Sequence, residues 1–189
     1  MFKRVENNIN LADMENEISN YWDEIDAFQT SLNNRNNDKV FRFYDGPPFP
    51  TGSPHYGNLL AGVIKDIVPR YWTMRGYYVE RRFGWDVHGL PIEMEVQKNL
   101  NLEDPQQIDE YGIDKFNEAC RTQVQTNTEN WEKITRKIGR WVDFENDYNT
   151  MDIDFMESVW WVFKELWEKE LIYQDYKVLP YSWAASTPL

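Results

Sequence analysis

Residues Phe41–Gly76 read FRFYDGPPFPTGSPHYGNLLAGVIKDIVPRYWTMRG, and the fold turns on this stretch. Phe41–Tyr44 is short and aromatic and follows Val40, the pattern of a strand entering a core. Gly46, Pro47, Pro48, Pro50, Gly52 and Pro54 then leave almost no residue free to be helical or to donate to a sheet ladder. After Tyr56 the pattern changes: Leu59, Leu60, Val63, Ile64, Ile67 and Val68 recur at helical spacing, with Lys65, Asp66 and Arg70 between them. That spacing predicts an amphipathic helix beginning near Gly57. The unit is a strand, a stiff loop and a helix N-terminus.

The first turn of a helix offers unpaired N–H groups and the positive end of its dipole, which together hold a phosphate. Gly52 and Gly57 let a nucleotide approach the backbone closely. His55 and Asn58 sit three apart at the helix mouth, where both can donate to one anion. On the residues alone two readings stand, an anion site or a Pro/Gly-rich connection followed by a surface histidine.

Upstream, Leu11, Met14, Ile18, Tyr21, Trp22, Ile25 and Phe28 recur at threes and fours. They predict an amphipathic helix over Asn10–Leu32 that packs as an appendage, joined by the polar Asn33–Lys39. Downstream, Tyr77–Phe83 (YYVERRF) reads as a second strand. Strand, helix and strand in succession imply a right-handed parallel crossover, the first half of a Rossmann-like α/β domain. Gly84–Pro91 leaves the C-terminal end of that second strand, where open α/β sheets bind ligands. Trp85, Asp86 and His88 are therefore site candidates. The competing reading is a turn in which Asp86 caps a helix over Leu90–Leu100.

From Pro105 the character becomes helical, over Asp114–Gly139 and again over Asp152–Lys169. The second of these carries Phe155, Val159, Val162, Phe163 and Leu166 on one side. Its Trp160, Trp161 and Trp167 fit a core or interface stripe rather than a cofactor site. Arg140–Thr150 (RWVDFENDYNT) reads as a link and Leu171–Ser182 as strand-like. The expected organisation is an N-terminal appendage over 1–39, an α/β region over 40–104 and a helical region over 105–189.

With 41% hydrophobic and 16% aromatic residues in 189, the chain has the makings of a substantial core. A net charge of −12, from 32 acidic and 20 basic residues, has the wrong sign for a surface that wraps a polyanion. The single cysteine, Cys120, excludes an internal disulfide and a Cys-rich zinc site, and its polar helical setting fits a plain thiol. No apolar run approaches a membrane span and the N-terminus has no secretory pattern, so the expected location is the cytoplasm.

The run PPFPTGSPHYGNLLAG followed by GWDVHGLPIE at Gly84–Glu93 resembles the class I aminoacyl-tRNA synthetases, and within them the isoleucyl-tRNA synthetases. Pro47–Asn58 is similar to the first signature of that class, usually written HIGH, with His55, Tyr56, Gly57 and Asn58 in its four places. Asn58 departs from the usual histidine. Valine enzymes tend to have threonine where Trp85 stands, and leucine enzymes phenylalanine where His88 stands. The resemblance implies ATP-dependent activation of isoleucine, with Mg2+ accompanying the ATP, and transfer to tRNA(Ile). It further implies that His55 and Asn58 hold ATP phosphates, that Gly57 lets the adenine lie on the backbone, and that Asp86 pairs with the substrate's α-ammonium. Pro47 resembles one wall of the side-chain pocket, with Trp85 and His88 shaping the rest. No KMSKS-like run and no anticodon-binding region is visible, so the sequence looks like an N-terminal portion that stops where the editing domain enters. It is expected to be catalytically poor alone, with tRNA held mainly elsewhere. Two other classes stay open: another HxGH-type nucleotidyltransferase, and a non-catalytic synthetase-derived binding module.

Overall fold

In the computed structural model, which describes residues 9–35, 38–102, 104–184 and 187–188, the N-terminal region forms two short helices rather than one. Asn10 caps α1 (Leu11–Glu24) by accepting from the Ala12 N–H, and α2 (Ala27–Asn33) follows a break at Asp26, where φ is 45°. A residue in the left-handed region cannot continue a right-handed helix, and hydrophobic spacing does not register one such residue. The expected Asn33–Lys39 connection lies partly outside the described residues, at 36 and 37.

Phe41–Tyr44 does not form the strand expected of it. One parallel bridge joins Val40 to Tyr78, closed by Phe41 N–H to Tyr78 C=O at 3.0 Å and Tyr78 N–H to Lys39 C=O at 2.9 Å. Beyond it, Tyr44 is exposed and the chain runs on without regular structure into Pro47 and Pro48, which lack the N–H groups a ladder needs. The helix α3 (Tyr56–Met74) then forms as the periodicity predicts, with Gly62, Pro69 and Thr73 buried.

The regular parallel pairing lies further along. Strand β1 (Arg82–Trp85) begins near the end of the expected Tyr77–Phe83, and α4 (Leu90–Leu100) follows it with the predicted bounds. Next come α5 (Pro105–Tyr111), which Asp104 caps by accepting from the Gln106 N–H at 2.8 Å, and the long α6 (Ile113–Lys137). The partner of β1 is β2 (Asp143–Asn149), with Arg82 opposite Asp143, Gly84 opposite Tyr148 and Trp85 opposite Asn149. The link read over Arg140–Thr150 is thus corrected to a strand. Its sequence DFENDYN has no apolar alternation, which is the signal a strand reading relies on.

The core is built by β1, the segment after it, α4, α6 and the residue before β2: Phe83, Trp85, Val87, Ile92, Val96, Phe116, Val124, Trp131 and Val142 form one buried cluster, against which Phe49 of the Pro-rich loop packs. Each large apolar side chain buried there contributes about 1.5–3 kcal/mol by transfer. Buried positions on α6 recur as Phe116, Val124, Asn127, Trp131 and Thr135, so the polar helix has one inward stripe.

This compact unit ends at Met151, and a second begins at Asp152. The second contains α7 (Ile153–Glu168), none of whose residues is buried. The residues after it have no regular structure until β3 (Tyr181–Ser182), which pairs antiparallel with β4 (Thr187–Pro188). The strand expected over Leu171–Ser182 is therefore confined to its last two residues; Tyr176 and Val178 lie almost fully exposed.

Candidate active site

A loop rich in proline has carbonyl groups in plenty and few N–H donors, so its carbonyls need donors from elsewhere. Lys65 Nζ of α3 donates to Gly46 O at 2.7 Å. From α6, Asn127 Nδ2 reaches Pro50 O and the Trp131 indole N–H reaches Gly52 O, both at 2.8 Å. Asn130 Nδ2 donates to Ser53 Oγ at 3.2 Å. The backbone N–H of Asp86 donates to Pro48 O at 2.9 Å, so the loop and the segment leaving β1 are joined directly.

At the end of this loop His55 is the N-cap of α3, with extended backbone dihedrals. Its Nδ1 accepts from the Gly57 N–H at 3.1 Å, while Asn58 Oδ1 accepts from the His55 backbone N–H at 3.0 Å. This is a reciprocal capping box. A ring nitrogen that accepts carries no proton, so in this arrangement the neutral ring bears its N–H on Nε2. The His55 Nε2–H and the Asn58 carboxamide N–H groups remain as donors for an incoming anion. Gly57 has a local reason as well: a Cβ there would stand 3.0 Å from His55 Cε1, and its absence lets the imidazole fold over the first turn.

Pro47 and Asn58 line one cleft of about 190 Å³ between the loop, α3 and α6, together with Lys65, Trp131 and Arg140. Asp86 is half-buried and does not cap α4, whose N-cap is Gly89 with φ 117° and no side-chain bond. Trp85 is buried, with ring centroids 4.5 Å from Phe83 and 6.4 Å from Phe144, and its indole N–H donates to Asp147 Oδ2 at 2.6 Å. His88 is exposed. Thus Pro47, Pro48, His55, Gly57, Asn58 and Asp86 belong to one loop system, while Trp85 belongs to the core beneath it.

Several residues of this system escaped the sequence reading. Asn127 and Trp131, at helical spacing on α6, lie in the stretch Asp114–Gly139 read only as helical; the signal is an Asn between the apolar Val124 and Trp131 on one stripe. Tyr148 of β2 lies close enough to Asp45 and Asp86 that, after burial, their carboxylates also push its phenol up, against Arg82. Cys120 is half-buried, and burial followed by Glu93 raises its thiol, which fits an unreactive cysteine. Among the described residues no group of three or more His, Cys, Asp or Glu could hold a metal ion, and no helix is long and apolar enough to cross a membrane.

The family model for tRNA synthetases class I (I, L, M and V) matches residues 17–189, and the chain belongs to that family. Within it, the chain is 55% identical to the cytoplasmic isoleucine–tRNA ligase of Arabidopsis thaliana over 93% of its length, and 52% identical to the isoleucine–tRNA ligase of Bdellovibrio bacteriovorus over 100%. The isoleucine–tRNA ligase of Mycobacterium tuberculosis is 54% identical over 95%. The chain spans only 15%, 18% and 17% of these relatives respectively. In three dimensions it is similar to a crystal structure of Agrobacterium radiobacter K84 agnB2 LeuRS in a ternary complex with tRNA and LeuAMS, with a TM-score of 0.61 and 22% identity, covering 93% of this chain and 20% of that one. At that identity the likeness establishes the fold alone.

Proposed function

We propose that this chain is the N-terminal part of an isoleucine–tRNA ligase and supplies the first half of its Rossmann-like catalytic domain. The reaction is attack of the isoleucine carboxylate on the α-phosphorus of ATP, releasing pyrophosphate and forming isoleucyl-adenylate, from which isoleucine passes to tRNA(Ile). Such an in-line displacement needs positioned reactants and neutralised charge more than a covalent protein nucleophile. The observation that carries the reading is the junction of the two signature blocks through Asp86 N–H and Pro48 O, beside a helix N-terminus whose cap is the His55–Asn58 pair.

In this reading ATP phosphates lie at the mouth of α3, where His55 Nε2–H, the Asn58 carboxamide and the helix dipole meet them. The adenine lies against Gly57. Asp86, the carboxylate just past β1, pairs with the isoleucine α-ammonium. Pro47 forms one wall of the side-chain pocket; His88 closes another side, and Trp85 acts from the core by fixing the backbone that carries Asp86. Mg2+ enters with the ATP and offsets phosphate charge. With a net charge of −12, this segment leaves tRNA contact mainly to other parts of the longer ligase, working in the cytoplasm.

Isoleucine-dependent exchange of radiolabelled pyrophosphate into ATP, across a panel of amino acids, tests the reading in a full-length ligase carrying this segment. Exchange driven by isoleucine above valine and leucine is expected. Exchange independent of amino acid would place the chain with other nucleotidyltransferases.

A further inference from the structure

The loop that presents Pro47 begins at a buried carboxylate whose partners all come from other elements. The Asp45 side chain is only 4% exposed; Lys65 Nζ stands 2.6 Å from its Oδ1 and the Arg140 guanidinium meets its Oδ2. Lys65 Nζ also donates to Gly46 O, and its contact with Oδ1 is an ion pair without hydrogen-bond geometry. Arg140, 7% exposed at its side chain, lies with its Cζ 5.2 Å over the Phe83 ring. The Tyr148 hydroxyl stands 3.5 Å from Asp45 O. One side chain thereby ties the start of the loop to α3 and to the run entering β2.

A buried ion cluster contributes little net stability compared with well-packed apolar residues, because desolvation offsets the attraction. What it supplies here is direction, since a carboxylate with one partner on each oxygen has little freedom to rotate. Gly46 alone separates Asp45 from Pro47, and the next fixed point is Pro48 O, held by the Asp86 N–H. We propose that Asp45 is a positioning residue of the activation site, its clamp between Lys65 and Arg140 setting where the Pro47–Pro48 segment and Asp86 lie relative to the N-terminus of α3. The inference rests on the ligase reading above for its catalytic consequence, and on the clamp itself for its structural one.

Two measurements separate these. In the 189-residue chain, Asp45→Asn is expected to shift the backbone amide resonances of Gly46 and Asp86 and to speed amide exchange at Asp86; resonances that stay in place would overturn the positioning role whatever the protein catalyses. In a full-length ligase, Asp45→Asn should lower kcat for isoleucine-dependent pyrophosphate exchange by about ten- to a hundredfold, the scale of a small misplacement, with a smaller change in either KM. The double variant Asp45→Asn/Arg140→Met removes both buried charges and should recover the thermal midpoint while retaining the kcat loss. Recovery of kcat together with stability would show a structural role only and overturn the proposal. A wild-type ligase without isoleucine-dependent exchange would defeat the ligase reading and leave the amide measurement to decide the clamp.

Discussion

Asn58 Oδ1 accepts the backbone N–H of His55 at 3.0 Å, so the asparagine standing where a histidine is usual is the reciprocal half of a helix cap. Its carboxamide uses the oxygen for the fold, and the proposed phosphate contact would use the nitrogen. Asn58→Ala is expected to cost about 1 kcal/mol in denaturant unfolding and to raise the ATP KM. Asn58→Asp separates the two uses: the carboxylate still accepts from the backbone at a helix N-terminus but repels phosphate. Unfolding of the Asp variant should match the parent while its ATP KM rises about tenfold or more.

Gly84 faces Tyr148 across β1 and β2, and a Cβ at Gly84 would overlap the Tyr148 ring. Gly84→Ala is expected to destabilise by about 1–3 kcal/mol, as overpacking does. Adding Tyr148→Leu, which removes the obstructing ring, should return part of that loss in urea unfolding.

Among the described residues, Arg81 and Arg140 both have buried side chains, in opposite circumstances. Arg81 Nε and Nη1 are buried without hydrogen-bond partners, although Nη2 reaches Thr73 Oγ1. Burial, opposed by Asp66 and reinforced by Arg70, Arg140 and Arg35, brings its pKa down to about 10. A base whose native pKa is depressed is a cost to folding at every pH below that value, and the cost fades as pH rises through about 10 towards the ordinary arginine range. Arg81→Met should leave stability unchanged or raise it by roughly 1 kcal/mol at neutral pH. Arg140→Met strips Asp45 of one buried partner and should lose about 3 kcal/mol. Thermal unfolding of the two variants side by side checks the contrast.

Legibility in the sequence followed the strength of the local signal. Helix α4 has its predicted ends because Gly89 caps it, Pro91 stands in its first turn, and Asn101 stops it in a left-handed conformation. Helix α3 was readable from its apolar spacing, and the site loop from its proline density. Strand β2 was not, because its order comes from pairing with β1 and from Phe144 against Phe83, neither of which marks a polar heptapeptide. The break at Asp26 is likewise invisible to periodicity. Of the loop system, His55, Asn58 and Asp86 stand in motifs visible in the sequence, whereas Asp45, Asn127 and Arg140 join it through contacts 77 to 95 residues away in sequence, a separation that no local pattern encodes.

The 189-residue chain alone is expected to fold but to associate with itself and to exchange pyrophosphate poorly. Leu60, Ile64, Ile67 and Met74 of α3 are exposed, as are Trp160, at 77%, Trp161 and Trp167 of α7. Exposed apolar side chains on either helix promote association. Sedimentation velocity should show mass rising with concentration, and Leu60→Lys/Ile67→Lys should reduce the effect if the α3 face takes part.

The central claim is that the carboxylate following β1 selects the amino acid's ammonium group. It is tested most directly by isoleucine and ATP titrations of pyrophosphate exchange in a full-length ligase carrying Asp86→Ala. Loss of a charge-assisted partner costs roughly 2–5 kcal/mol, which is about 30- to 5000-fold in the isoleucine term. The account predicts an isoleucine KM raised on that scale, or activation abolished, with ATP binding nearly intact; isoleucine kinetics unchanged from the parent would contradict it.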